Sequence, residues 1–306
     1  MSTAHVLGGV TVPLVTTLDD SGRPDAVAAR PLLEALARAR VHGLMLLGSN
    51  GEGALLPADS TAEFVAAVVE QWHALRPGGH VIVNVSAPGT VDMLRRAEFA
   101  LRGRPDALVV TPPSYFTFRR DEVEAHIRAI ERFEHPYAVY NVPKYATALT
   151  PETLGALLDS PWLVGMKDSS GDADAFAAFL AVVADRDDVA ITQGSERDLL
   201  SALRAGASGI VPGVANIAPG AAVRLYELWS TDAAAAEAAQ VVLAGLTRVH
   251  TIRPGVPAVK GILHDRGLIA TPLPAPPLAA LNRTELDALR ATLDPDEAEL
   301  IGTRRA

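Results

Sequence analysis

Three observations make a (β/α)8 barrel, an α/β TIM barrel with a C-terminal helical extension, the fold that this 306-residue sequence predicts. A short apolar run, a polar or glycine-rich turn and an amphipathic, alanine-rich segment recur eight times within roughly the first 220 residues. The apolar runs are nearly continuous instead of alternating, as strands buried on both faces of a parallel sheet require. The first strand-to-helix turn lacks the G-x-G-x-x-G fingerprint that an open doubly wound sheet would carry there.

The predicted strands run roughly from Gly9 to Thr16, Gly43 to Gly48, Val81 to Val85, Ala107 to Thr111, Tyr137 to Asn141, Leu163 to Lys167, Val189 to Gln193 and Gly209 to Pro212. Among the helices between them, Asp25 to Arg40, Asp59 to Leu75, Asp121 to Phe133 and Asp172 to Ala184 each open on an aspartate suited to a helix amino terminus. Residues 1–220 are thereby assigned to the barrel. Residues 221–306 read as a helical extension without strands, interrupted by Pro272, Pro274, Pro276 and Pro277. The run Ala233 to Ala236 reflects high helix propensity.

Composition narrows the function classes. With 49% hydrophobic and 21% charged residues the chain is globular and has an ample core. A formal net charge of −9, with Arg95-Arg96 and Arg119-Arg120 read as solvated helix faces, speaks against a nucleic-acid or anionic-membrane partner. No cysteine is present, so disulfides, thiolate metal sites and thiol nucleophiles are excluded. No apolar stretch reaches the roughly 18 residues of a bilayer span, and the amino terminus lacks a signal core, so a cytoplasmic location is expected. The eight histidines are scattered without H-x-H or H-E-x-x-H spacing, and Asp168, Asp172 and Asp174 lack the spacing of a calcium loop. No metal is expected. Ser169 and Ser170 form no G-x-S-x-G elbow.

In such a barrel the chemistry belongs at the carboxyl ends of the strands. Only three lysines stand against 24 arginines, and Lys167 closes the sixth strand just before the turn Asp168-Ser169-Ser170-Gly171. Either it is a surface lysine after a strand, or it is an amine whose desolvated ammonium yields a nucleophile for carbonyl carbon. The second strand ends in Gly48-Ser49-Asn50-Gly51-Glu52, a turn made for chain reversal or for cradling a small anion with its amides. Strand four leads to Tyr115 and strand five ends at Tyr140, two phenols able to shuttle protons if they reach the amine, or core-edge residues otherwise.

Taken in order, these segments resemble the dihydrodipicolinate synthase and N-acetylneuraminate lyase superfamily, and the resemblance covers most of the chain. It rests on Gly9, Pro13 and Thr16, the Gly48 to Glu52 turn, the T-P-x-x-Y segment ending at Tyr115, Tyr140-Asn141-Val142-Pro143, Gly165-Met166-Lys167-Asp168, Gly209-Ile210 and Ala215-Asn216. The resemblance implies that Lys167 forms a Schiff base with a 2-oxo acid, so that no cofactor is needed. It also implies that Tyr140 moves protons, that Ser49 and Tyr115 complete a relay, and that Ser49 and Asn50 hold the carboxylate of pyruvate. Gly194, Ser195, Glu196 and Ile210 fall where substrate-binding positions are expected, and a homotetramer built as a dimer of dimers is implied as well.

Departures bear on the substrate. Synthases of the family carry an arginine where Lys144 is followed by Tyr145, and Ser114 stands where a second aromatic residue often meets the neighbouring subunit. Asn50 replaces a threonine, and Gly213 replaces the serine of the lyase branch. After strand seven, Glu196 and Arg197 either face a polyol tail or, respectively, cap a helix and face solvent. The expected activity is that of a class I aldolase, a lyase acting on a hydroxylated 2-oxo acid of the 2-keto-3-deoxy sugar acid type. The alternatives are 4-hydroxy-tetrahydrodipicolinate synthase, a keto-deoxy acid dehydratase, or a non-catalytic barrel that binds a 2-oxo acid.

Overall fold

Eight parallel strands close on themselves in sequence order in the computed structural model, which describes residues 6–293 and 299–302. The strands are β1 Gly9–Pro13, β2 Gly43–Leu46, β3 His80–Asn84, β4 Ala107–Val110, β5 Tyr137–Asn141, β6 Leu163–Asp168, β7 Ala190–Gln193 and β8 Gly209–Ile210. β8 is only two residues long, yet Gly209 pairs with both Gly9 and Thr192, so it closes the barrel. All eight predicted strands are present, most of them shorter than expected at their carboxyl ends, where the functional loops begin.

The crossovers carry α1 Arg30–Arg38, α2 Ala58–Leu75, α3 Thr90–Leu101, α4 Arg120–Arg128, α5 Pro151–Leu157, α6 Ala173–Val182 and α7 Leu199–Ala205. After β8 follow α8 Pro219–Leu228, α9 Ala233–Leu246, α10 Val249–Ile252, α11 Val256–Asp265 and α12 Arg283–Leu293. α8 packs on β1 and α9, so the expected boundary at residue 220 falls inside the barrel's eighth helix. The outermost residues of both expected segments lie outside the described residues. Among the described residues, no helix is long and apolar enough to cross a membrane.

Of the four aspartates expected to open helices, Asp172 is the N-cap: its Oδ1 accepts from the amides of Asp174 and Ala175, both at 3.0 Å. Asp59 and Asp121 sit within the first turns of α2 and α4, where a carboxylate still complements the helix dipole. Asp25 instead closes a turn ahead of α1, accepting from Val27 and Ala28 at 2.8 and 3.1 Å.

Strand alternation divides the core in two. Val10, Leu44, Val81, Leu108, Val139 and Ile210 point outward into the layer shared with the helices. Met45, Ile82, Val109, Ala138, Tyr140 and Val211 fill the barrel interior. Each fully buried Leu or Val contributes roughly 2 kcal/mol relative to an exposed one. Between β5 and β6 the register shifts at Tyr137/Ala138, after which Met166 faces the outer layer and Lys167 pairs with Tyr140. The irregularity therefore sets the phase that brings Lys167 beside an inward tyrosine.

Candidate active site

At the carboxyl end of the barrel, Lys167 from β6 is 6% exposed and its Nζ lies 4.2 Å from the centre of the Tyr140 ring. The same Nζ is 3.8 Å from Met45 Sδ. Burial acts to raise the pKa of the Tyr140 phenol, but the charge on Lys167 and hydrogen bonds from Ser49, Ser169 and Lys167 outweigh it and bring the phenol below its ordinary value. A phenol so placed takes up and returns protons more readily than a solvated one.

The Gly48–Glu52 turn delivers Ser49 and Asn50 to the same cavity. Its shape is held by the Thr16 hydroxyl donating to Gly51 O at 2.6 Å and by Asn84 Nδ2 donating to Leu47 O at 2.9 Å. Among the described residues, the turn's own backbone hydrogen bonds use neither the Ser49 nor the Asn50 amide. Both amides are thus available to an anion.

Asp168, treated from sequence as a turn residue, is completely buried and braces the site. Its carboxylate accepts from Asn141 Nδ2 at 2.7 Å and from the Ser170 hydroxyl at 2.8 Å, while its carbonyl accepts from the Gly194 amide at 2.7 Å. Burial pushes its pKa up, and the hydrogen bonds from Ser170 and Asn141 oppose the shift. Gly194 is a steric requirement. A Cβ there would lie 2.2 Å from Ser169 Oγ and 2.8 Å from Lys167 Cε. Ser169, set aside in the sequence because it forms no G-x-S-x-G elbow, is therefore part of the cluster, and its sequence signal is adjacency to the Lys167-Asp168 pair.

Glu196 does not cap a helix, since α7 begins at Leu199 behind Asp198. Its Oε1 accepts from the amides of Gly213 and Val214 at 2.7 and 3.4 Å, which carries the carboxylate across to the loop after β8. A Cβ on Gly213 would stand 2.7 Å from Asn50 Nδ2 and 3.1 Å from Glu196 Oε1, so glycine lets these two side chains converge. Ser195 lines the cavity, but its hydroxyl donates to Asp198 Oδ2 at 2.7 Å. Lys144 and Tyr145 close the rim, with Lys144 Nζ 5.1 Å from the Tyr145 ring centre. The cavity they enclose with Lys167, Ser169, Ser170 and Glu196 measures about 270 Å³. A more apolar cavity of about 450 Å³ adjoins it, sharing Ser49, Tyr140, Lys144 and Tyr145 and walled by Leu55, Ala87 and Val256.

Two expected residues lie elsewhere. Ile210 is fully buried in the outer core, because alternation along β8 turns its neighbour Val211 into the cavity instead. Tyr115 adopts φ +80° and is 89% exposed, its ring packed edge-on against Phe116 at 5.0 Å in a separate cavity with Phe118 and His126. Within the chain it is not brought to Tyr140. Lys167, Tyr140, Ser49, Asn50, Gly194, Ser195 and Glu196 are brought together. Among the described residues, no group of three histidine, aspartate or glutamate side chains is placed to hold a metal ion.

The profile described as the Dihydrodipicolinate synthetase family matches residues 6–295. An uncharacterized DapA-like lyase of Halobacterium salinarum is 34% identical over 298 residues, covering 96% of this chain and 94% of that protein. A 4-hydroxy-tetrahydrodipicolinate synthase of Acidithiobacillus ferrooxidans is 30% identical, covering 93% of this chain and 97% of the relative. Among solved structures, YagE, a prophage protein of the dihydrodipicolinic acid synthase family from E. coli K12 in complex with pyruvate, superposes with a TM-score of 0.88. That match covers 94% of this chain and 98% of YagE at 21% identity, and bears on the fold.

Proposed function

The chain belongs to the dihydrodipicolinate synthetase family, and on that premise we propose that it is a class I aldolase that cleaves and forms a carbon–carbon bond in a 2-keto-3-deoxy sugar acid. The observation that carries this reading is the buried amine of Lys167 set against the Tyr140 phenol beside a turn with two available amides.

The chemistry follows from that arrangement. The amine of Lys167 adds to the C2 ketone and water leaves, forming a protonated imine. The Ser49 and Asn50 amides hold the substrate carboxylate and so orient C2 over Nζ. Tyr140, as phenolate, takes the proton of the C4 hydroxyl. The C3–C4 bond then breaks, its electron pair moves into the imine to give an enamine, and an aldehyde departs. Tyr140 returns its proton to C3, and water hydrolyses the imine to release pyruvate and the free amine. Neither cofactor nor metal is required. The substrate's hydroxyls are met by Asn50, Ser170 and Glu196 in the 270 Å³ cavity.

One observation favours a second reading. Lys144 places a cation on the cavity rim where it can meet a distal carboxylate, as 4-hydroxy-tetrahydrodipicolinate synthase would need. The working form is a cytoplasmic homotetramer, a dimer of dimers, in which the exposed rings of Tyr115 and Phe116 provide apolar surface for subunit contact. The test is pyruvate release from a panel of 2-keto-3-deoxy sugar acids by wild type and Lys167→Ala. Release by wild type alone supports the aldolase. Formation of 4-hydroxy-tetrahydrodipicolinate with consumption of pyruvate, and no release from any sugar acid, replaces it with the synthase.

A further inference from the structure

A second lysine is buried more deeply than Lys167. Lys260, on α11 of the helical extension, has a completely buried side chain that forms an ion pair with Glu52, itself 1% exposed. Lys260 Nζ also donates to Leu273 O at 2.8 Å, and Glu52 Oε1 accepts from the Ala275 amide at 2.7 Å. α11 is buried at every residue from Val256 to Leu263, which leaves the lysine little freedom to follow its partner elsewhere.

Glu52 ends the turn that carries Ser49 and Asn50, and it does so at φ +58° and ψ +22°, in the left-handed region; Leu47, just ahead of the turn, has φ +56°. Non-glycine residues persist there only where the surroundings over-determine them. The barrel supplies two braces, from Thr16 and Asn84. Arg96 of the barrel also donates to Gly53 O at 2.7 Å, and the extension adds two more braces, Lys260 and the Ala275 amide, both on the Glu52 side chain. The start of α11 also walls the cavity that contains Ser49 and Tyr140. Burial pushes the pKa of Glu52 up and that of Lys260 down, against their mutual attraction. An ion pair kept at that cost has little to recommend it as a source of stability, since apolar replacements of such pairs are often neutral or better.

We propose that Lys260 is a positioning residue for 2-oxo acid binding: through its buried ion pair with Glu52 it holds the Gly48–Glu52 turn in the shape that presents the Ser49 and Asn50 amides to the substrate carboxylate. The proposal rests on the reading of that turn as the carboxylate cradle. It gives the C-terminal extension a part in substrate binding from outside the barrel.

The test is borohydride trapping of the pyruvate adduct on Lys167 as a function of pyruvate concentration, alongside thermal unfolding. The proteins are wild type, Lys260→Met and the charge-neutral pair Glu52→Gln/Lys260→Met, whose glutamine keeps an acceptor for the Ala275 amide. Both variants should raise the half-saturating pyruvate concentration by roughly ten-fold or more while still reaching the wild-type adduct yield at saturation. If Lys260→Met does not fold, the double variant carries the test. A double variant that folds and traps pyruvate with unchanged half-saturation overturns the proposal, as does one that does not fold, because the pair would then serve the fold alone. Wild type that forms no adduct at any pyruvate concentration overturns the imine reading itself, whereas a wild-type adduct with unshifted variants overturns only the role of Lys260.

Discussion

Replacing Gly194 by alanine adds one methyl group at the point where the ends of β6 and β7 crowd the amine. The new Cβ would stand 2.2 Å from Ser169 Oγ, about 1.2 Å short of ordinary contact, and 2.8 Å from Lys167 Cε, about 0.6 Å short. The carbonyl of Asp168, at 3.2 Å, blocks retreat on the third side. Ser169 can swing its hydroxyl away, but doing so removes one of the hydrogen bonds that lower the Tyr140 phenol, and the Lys167 side chain must still yield. Misplacement of a reacting group by about 1 Å costs up to 10²-fold in rate, or about 2.7 kcal/mol in the barrier. Gly194→Ala is therefore expected to lower kcat/KM for pyruvate release by about 10²-fold. The melting temperature should change little, because the position is only partly buried and its φ is open to alanine. The assay is single-turnover imine formation followed by steady-state release. Activity within about three-fold of wild type would refute the crowding reasoning.

Two further outcomes follow from the titrating groups. With the Tyr140 phenol lowered from its ordinary value, kcat/KM for cleavage should rise with pH and level off below the usual phenol range near pH ~10. Tyr140→Phe should lose about 10²-fold or more together with that limb, and a retained limb would assign it to another group. At the amino-terminal end of the barrel, burial holds His80 at a pKa of about 4, and its Nε2 lies 2.7 Å from Thr11 Oγ1. The unfolded chain therefore binds the extra proton first as pH falls. The stability contributed by neutral His80 is fully present above about pH 6.5 and declines toward pH 4, by up to about 3 kcal/mol. Melts between pH 7.5 and 4.5 should show a steeper loss for wild type than for His80→Gln, and parallel curves would contradict this.

The barrel was legible because continuous apolar runs such as Ala107 to Val110 have few other homes than a doubly covered parallel sheet. Helix starts were less legible, since an aspartate is favourable both at the cap, as at Asp172, and within the first turn, as at Asp59 and Asp121. Among the site residues, Lys167 and Tyr140 were readable as strand-end groups, yet their meeting depends on a register shift that no local pattern announces. Simple alternation along the chain decides that Val211, and not Ile210, faces the cavity. Tyr115 follows its strand in sequence but leaves the site through a positive-φ residue. Lys260 and Glu52 were invisible as a pair, being joined only when the extension folds back over the barrel.

The most direct test of the central claim is borohydride reduction in the presence of pyruvate, followed by intact-mass and peptide mass spectrometry, with Lys167→Ala as control. A pyruvate adduct confined to the peptide carrying Lys167, and absent in the variant, is the expected result. No adduct at saturating pyruvate, or an adduct that persists in Lys167→Ala, would contradict the imine mechanism and favour a barrel that binds a 2-oxo acid without turning it over.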